Sequence, residues 1–436
     1  MRLFLIDASR FLRLGLIFMQ RERVTEESRS TSLDSAGRVA ILLGPAEERW
    51  RRGDSAAASE AALLCDEVLA GLPAEAREER ARVWLRRGQF LESGRTSKML
   101  AEAVRSHEAG LHVLRSDEAG AESESTGGTV LARLRALLWM NRGNALVALG
   151  QAESAREAMR SYDRVLALVA REERAGGGGA GEMETRAMVG AAWLNRAAAA
   201  RLAAGCDATL AEEEVRSLDR AIRELEKAAR AGSRPARRNL AGAWLNLATS
   251  RERAGDGAGA AEAWRRAVEA AAPEATRDAA ALAAGLRARH ALCVGAGRRL
   301  AAGETLSAEA EGELLAHVEA GLADFARADA VARTRSAEEA ADRLFEFGAW
   351  FLRLRFPRRL ADFLSRHGGG AGAGRLVAVR VAMEMARQEI LHTGFADLLS
   401  EEGEDARERL RELGALEERL RGWEERCRQS TDTSRG

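Results

Sequence analysis

The sequence predicts an all-α protein, and three observations indicate this class. The residues that dominate the 436-residue chain are Ala, Arg, Glu and Leu, all of which are good helix formers. Only five prolines interrupt them. Few segments show the alternation of β-branched or aromatic residues that a strand requires. A chain of this length could form two or three ordinary domains or one long repeat array.

The charge balance argues against a nucleic-acid partner. The chain has 67 basic and 67 acidic residues, so its formal net charge is zero. Nearly all the basic residues are arginines, because Lys98 and Lys227 are the only lysines. This bias is typical of a bacterial chain from a GC-rich genome. A neutral chain has no overall field that attracts nucleic acid, and we therefore expect no such partner.

The clearest motif begins at Trp244 and combines small and aromatic residues at helical spacing. Counted from the tryptophan, the small residues Ala248, Ala260 and Ala267 follow at +4, +16 and +23. Gly255 lies at +11, and a second tryptophan, Trp264, lies at +20. This spacing resembles the tetratricopeptide repeat, a helix–turn–helix unit of about 34 residues. The resemblance implies a right-handed α-solenoid whose first helices line a concave, peptide-binding groove.

Other units repeat the motif less completely. Trp84, Trp139 and Trp193 start three of them, with a degraded unit before these and a faint one after Pro273. The tryptophans are 55, 54 and 51 residues apart, which exceeds the repeat of about 34 residues. We predict helices longer by one or two turns, together with glycine-rich links. Ser116–Thr129 and Thr209–Arg216 are interpreted as inserts, and Gly297 as the turn of the faint unit.

The pattern divides the chain into four parts. Residues 1–36 form an N-terminal amphipathic helix and a polar linker, residues 37–330 five to six divergent repeats, residues 331–429 extra C-terminal helices, and residues 430–436 a disordered tail. The uncharged stretch Leu14–Gln20 is far shorter than the roughly 20 residues that span a bilayer. Residues 1–19 could pack on the array, which we favour, or lie on a membrane.

No motif for catalysis, a metal or a cofactor is recognisable. The four cysteines and six histidines show no ligand spacing. The run Gly368–Gly374 lacks the Lys-Ser or Lys-Thr ending of a phosphate-binding loop, so we interpret it as a linker. We expect no enzyme activity, no metal and no cofactor.

The first helices carry the candidate binding residues. An asparagine recurs two residues after the tryptophan, and its side-chain amide could bind a peptide backbone or make a structural hydrogen bond. Both interpretations remain open. Arg142 and Arg196 follow their tryptophans by three residues, which is usually a packing position, so no carboxylate clamp is assigned to them. The predicted peptide-binding residues are Asn141, Asn144, Asn195, Arg201, Asn246, Thr249, Glu252 and Arg253.

The sequence therefore predicts a cytoplasmic, non-enzymatic scaffold that binds a protein or peptide of unknown identity in the groove. One alternative is a membrane-peripheral assembly factor anchored by residues 1–19, although we consider a membrane partner unlikely. Another is a regulatory subunit of an enzyme encoded nearby. The sequence does not predict the oligomeric state.

Overall fold

The computed structural model describes residues 55–115, 126–174, 182–205 and 207–367, together with isolated positions outside these ranges. Its described residues form thirteen helices and no strand, which confirms the predicted all-α class. The predicted N-terminal segment 1–36 and the tail 430–436 lie outside the described residues, as does most of the chain after His367. None of the helices described is long and apolar enough to cross a bilayer.

The chain divides into two compact units, Met1–Ala221 and Ile222–Gly436. Helices of the first unit pack mainly on their neighbours in sequence, and the first helices of successive hairpins also contact each other. Its helices are α1 (Ser55–Gly71), α2 (Arg77–Ser93), α3 (Ser97–Arg115), α4 (Thr126–Ala148), α5 (Ala152–Arg174), α6 (Glu182–Ala204) and the first part of α7 (Ala208–Arg230).

The second unit repeats this arrangement of packed hairpins. After the end of α7 it contains α8 (Arg234–Arg253), α9 (Gly257–Ala271), α10 (Ala279–Ala301), α11 (Ala308–Arg327), α12 (Arg335–Arg355) and α13 (Pro357–His367). Pro357 separates the last two helices, because α12 ends before it and α13 starts on it, where the missing N–H costs no hydrogen bond.

Long helices account for the wide separation of the tryptophans, as predicted. Helices α4 to α7 each contain 23 residues, which is about six turns. The interpretation of Thr209–Arg216 as an insert is wrong, because these residues form the first turns of α7. Asp207 precedes that helix and accepts hydrogen bonds from the backbone N–H and hydroxyl of Thr209, which lower the pKa of its carboxyl group. Thr126–Thr129 are likewise helical rather than part of a loop.

Glycines mark several of the turns that the sequence predicts. Gly150, Gly205 and Gly255 all have positive φ, between +48° and +80°, a conformation that favours glycine. Gly297 was wrongly predicted as a turn, because it lies inside α10. The chain turns instead at Gly303, where φ is +85°.

Close contacts between the two helices of a hairpin fix its packing. Gly143 of α4 lies directly against the ring of Tyr162 on α5, and a Cβ added there would be 2.6 Å from two ring carbons. Gly88 of α2 lies against the ring of His107 on α3 in the same way. Both rings are fully buried. The glycine four positions after Trp84 and after Trp139 therefore makes room for a large buried side chain of the second helix.

Aromatic side chains form much of the core of the second unit. Phe345 and Phe351 of α12 and Phe363 of α13 are buried, and the rings of Phe345 and Phe363 stack with centroids 5.5 Å apart. These residues explain the aromatic-rich segment near residue 350 as packing between consecutive helices.

Candidate binding surfaces

The predicted peptide-binding residues fall on the first helices of hairpins in both units. Asn141 and Asn144 lie on α4, and Asn195 and Arg201 lie on α6, all within the first unit. Helices α4 and α6 contact each other, and they bring Asn144 and Asn195 together. The other four residues lie on α8 of the second unit.

Asn144 and Asn195 form a hydrogen-bonded group between helices. The Asn144 Oδ1 atom accepts hydrogen bonds from the Tyr162 hydroxyl at 2.9 Å and from the Asn195 Nδ2 atom at 3.0 Å. Burial raises the pKa of Tyr162 above its ordinary value, so the hydroxyl keeps its proton and acts as a donor. Asn195 therefore makes a structural hydrogen bond, which is one of the two roles that the sequence left open for it, and Asn144 is its partner.

Asn141 occupies a more accessible position on the same side of α4. Its Nδ2 atom donates to the backbone oxygen of Leu137 at 2.8 Å, one turn earlier in the same helix. Leu137 keeps 36% of its surface exposed, although it is a large apolar residue. Asn141 and Leu137 therefore belong to a partly exposed surface of α4.

Apolar residues extend this surface along both helices. Val130 is 42% exposed and Leu202 is 36% exposed. The ion pair between Arg133 and Glu184, at 2.7 Å, joins the two helices near one end of it. We call this the α4/α6 surface; its apolar members are Val130, Leu137, Met188 and Leu202, and its polar members are Asn141, Asn144, Asn195 and Arg201.

The candidates on α8 are engaged to different degrees. The Thr249 hydroxyl donates to the backbone oxygen of Leu245 at 3.0 Å, which is a hydrogen bond within its own helix. Glu252 accepts a hydrogen bond from Arg298 of α10 at 3.2 Å and remains exposed. Arg253 is exposed as well, and Asn246 is partly buried. These four residues form a separate candidate surface on the second unit.

Three arginines of the first unit, including the predicted packing residues Arg142 and Arg196, join successive hairpins. Each lies three residues after a tryptophan of a first helix, within 5.7 Å of the ring centroid, and binds two other helices. One partner is a carboxylate on the preceding second helix, and the other is a serine hydroxyl on the next one. The sets are Arg87 with Asp66 and Ser106, Arg142 with Glu108 and Ser161, and Arg196 with Asp163 and Ser217. We call them the arginine ladder.

The ladder arginines are largely buried yet charged. The side chain of Arg142 is 15% exposed and that of Arg196 is 11% exposed. Burial disfavours the charged guanidinium of Arg196, but hydrogen bonds and ion pairs with Asp163 and Glu213 outweigh this effect and raise its pKa. Removing such an arginine would leave carboxylates without their partner between two hairpins.

The recurrence of these residues offered a signal in the sequence. A Trp-x-x-Arg pair occurs in the three repeats that start at Trp84, Trp139 and Trp193. In α3 and in α5, a serine also precedes an acidic residue by two positions. At Trp244 the corresponding residue is Leu247, which is fully buried. The Trp244 repeat, which is most similar to the tetratricopeptide pattern, therefore lacks the ladder arginine. The sequence of that repeat gives no indication of the ladder.

Within the described ranges, no cluster of three or more His, Cys, Asp or Glu residues could hold a metal ion. Burial raises the pKa of the Cys293 thiol to about 12, so this thiol is protonated and unreactive at neutral pH.

Matches to known proteins come from solved structures. No protein-family model and no curated protein sequence matches the chain. Among solved structures, a monomeric mutant of IFIT1 with Gppp-AAAA is 12% identical, with 93% of each chain covered and a TM-score of 0.26. The P58(IPK) TPR domain is 14% identical, with 87% of this chain and 98% of that chain covered and a TM-score of 0.18.

Because both TM-scores are low, the assignment of the fold depends on the helices and contacts described above. Consecutive antiparallel hairpins, a glycine turn between their helices and a small residue four positions after the tryptophan recur in the array. The chain is an all-α array of divergent tetratricopeptide-like helical hairpins.

Proposed function

We propose that this protein is a non-enzymatic scaffold that binds an apolar segment of a partner protein on the α4/α6 surface. The observation that carries the proposal is the exposure of large apolar side chains on adjacent first helices. Leu137 and Leu202 lie there at positions −2 and +9 from Trp139 and Trp193, where the repeat pattern predicts groove residues. Exposed apolar groups beside polar ones are typical of protein-binding surfaces.

The polar residues of the surface have separate roles in this proposal. Asn144 and Asn195 hold α4 and α6 in register, because they bond to each other. Asn141 stands nearer to solvent, so its amide is the one that contacts the partner backbone. Leu137 and Leu202 supply most of the binding free energy, since apolar contacts at the centre of an interface contribute more than polar contacts at its rim.

Co-purification from the native cells tests the proposal. A tagged full-length protein should recover one or more partners, and the double variant Leu137→Glu, Leu202→Glu should lose them. Leu63→Glu is a suitable control, because Leu63 is 65% exposed on α1 and lies outside the surface. Since placing a charge in an apolar contact costs about 1–3 kcal/mol, we expect recovery to fall roughly tenfold or more. Equal recovery with both variants would refute the proposed surface.

The proposed location is the cytoplasm. This proposal rests on the sequence, whose four cysteines show no paired spacing of a disulfide framework.

A further inference from the structure

A second candidate site lies on the other side of α4. Trp139 and Arg142 of this helix, together with α3 and α5, enclose a cleft of about 640 Å³. Trp139 lies roughly 160° around the helix from Leu137, since each residue turns by about 100°. The cleft is therefore separate from the α4/α6 surface. Its charged lining residues are Arg115, Arg142, Arg160, Arg164, Glu108 and Glu157, with His112 beside them.

Positive charge is in excess in this cleft, and it is concentrated at the rim. Four arginines face two glutamates, which leaves two positive charges if His112 is neutral. Arg142 is bound to both glutamates through the ladder. Arg115 and Arg164 are exposed and form no ion pair with any described residue, while Arg160 lies only within 4.0 Å of Glu157. The rim arginines are thus available to an external anion.

The equivalent positions in the neighbouring hairpins show what is particular to this cleft. The cleft at Trp84 measures about 440 Å³, and Ala109 occupies the position that corresponds to Arg164. Beside Trp193 the corresponding residue is Arg220, whose guanidinium lies over the indole ring at 4.6 Å from the centroid. Arg164 makes no such contact with Trp139 among the described interactions. Only at Trp139, of these three positions, does a large cleft combine with an unengaged arginine.

We propose that this cleft binds an acidic segment of a partner protein, with carboxylates on the rim arginines and an apolar side chain on Trp139. Arg160 and Arg164 are one turn apart on α5, so their Cβ atoms are about 5–6 Å apart. This spacing matches two carboxylates one turn apart on a helical peptide, and each guanidinium can bind a carboxylate through two hydrogen bonds. The proposal goes beyond the first one, because it concerns a different face and a partner of different chemistry.

The charge distribution favours a peptide over a phosphate-rich ligand. In the inner part of the cleft, Glu108 and Glu157 neutralise the charge of Arg142. This part of the cleft would therefore repel a multiply charged phosphate. Single carboxylates at the rim avoid these two glutamates, and Leu111 and Trp139 offer an apolar inner wall. Since the rim pairs are exposed to solvent, binding should weaken as the salt concentration rises.

Calorimetric titration of the full-length protein tests this proposal. The probe is an amidated helical peptide with two glutamates one turn apart and a leucine between them. We expect the variant Arg160→Glu, Arg164→Glu to bind this peptide at least tenfold more weakly than the wild type. The variant Arg156→Glu, Arg171→Glu is the matched control, because it changes the same charge on the same helix outside the cleft, and its affinity should stay within about twofold of the wild type.

Three results would overturn the proposal: no binding of the peptide, equal affinity of the two double variants, or tighter binding of inorganic polyphosphate or a single-stranded oligonucleotide than of the peptide. Circular dichroism checks that each variant is folded. If the double variant is not, Arg164→Ala replaces it, since this change reproduces the Ala109 arrangement and should also weaken binding. The variant Leu137→Glu, Leu202→Glu should bind the acidic peptide normally, so the failures of the two proposals are distinguishable.

Discussion

Replacing Arg142 by alanine should destabilise the first unit measurably. The Arg142 guanidinium donates to Glu108 at 2.8 and 3.0 Å and to the Ser161 hydroxyl at 2.8 Å. Hydrogen bonds of charged groups contribute about 1.5–3 kcal/mol when they are protected from solvent. Glu108 is 48% exposed and can be solvated again after the change, which reduces the loss. We therefore expect the free energy of unfolding to fall by about 2 kcal/mol.

Urea denaturation followed by circular dichroism measures this change, and Arg156→Ala serves as the control. Arg156 forms an exposed ion pair with Glu153 on the same helix, with side chains 50% and 84% exposed, so its removal should cost less than about 0.5 kcal/mol. Hydrogen exchange locates the effect, since α3 and α5 should both exchange faster in Arg142→Ala. Equal destabilisation by the two variants, or faster exchange in α4 alone, would show that the ladder does not hold the hairpins together.

Three further predictions concern packing and pH. Gly143→Ala should destabilise the protein by about 1–3 kcal/mol in urea, because its Cβ would overlap the Tyr162 ring. Gly295→Ala, at a helical glycine with open space around it, should instead stabilise the protein by about 0.5–1 kcal/mol. If both variants changed the free energy of unfolding in the same direction, the packing argument would be refuted. Tyr162→Phe should cost about 1 kcal/mol in the same assay, since Asn144 loses a donor, and no loss would show that this hydrogen bond is unimportant. Burial, the nearby Arg289 and, to a lesser extent, Arg265 lower the pKa of His317. Glu313 raises this pKa, but its effect does not reverse the shift. Below about pH 6.5 the unfolded chain therefore binds more protons, so stability should fall on acidification from pH 7 to 5, and less so in His317→Gln.

The fold could be predicted because its determinants are local in sequence. The Trp139 and Trp193 units carry the small residue and the glycine turn within one hairpin, and the helix-forming composition supports them. The error at Thr209–Arg216 has a simple cause. The acidic run in this segment is typical of a solvated loop, but Asp207 binds the start of the helix, Glu213 pairs with Arg196, and Glu214 is buried.

The candidate site could be predicted only in part, because its contacts join residues of different hairpins. Asn144 and Asn195 are 51 positions apart, and no periodicity within one unit indicates that they bond to each other. Arg142 was correctly assigned to a packing position, but its partner Glu108 is 34 residues away. Such pairs depend on how α4 lies between α3 and α5, which only the structure shows.

The second unit shows how far the pattern tolerates change. In the faint repeat after Pro273, Leu286 occupies the position of the first-helix tryptophan, and Arg289 follows it by three residues. Its Nη1 atom lies 3.4 Å from the Nδ1 atom of His317, which replaces the ladder serine. Asp324 of the same helix supplies a carboxylate at 3.6 Å. In this repeat the arginine is thus kept although the tryptophan before it and the serine partner have changed.

The arginine ladder also makes the hairpins of the first unit interchangeable parts. Each of the three described junctions combines an arginine from the incoming hairpin with a carboxylate from the outgoing one, so the α2–α3 and α4–α5 hairpins carry one half of a connector at each end. Excision of the whole α4–α5 hairpin would bring Arg196 to Glu108, a pairing of the same kind as the one it replaces. Gain or loss of complete hairpins could therefore shorten or lengthen this part of the chain without a new interface having to arise.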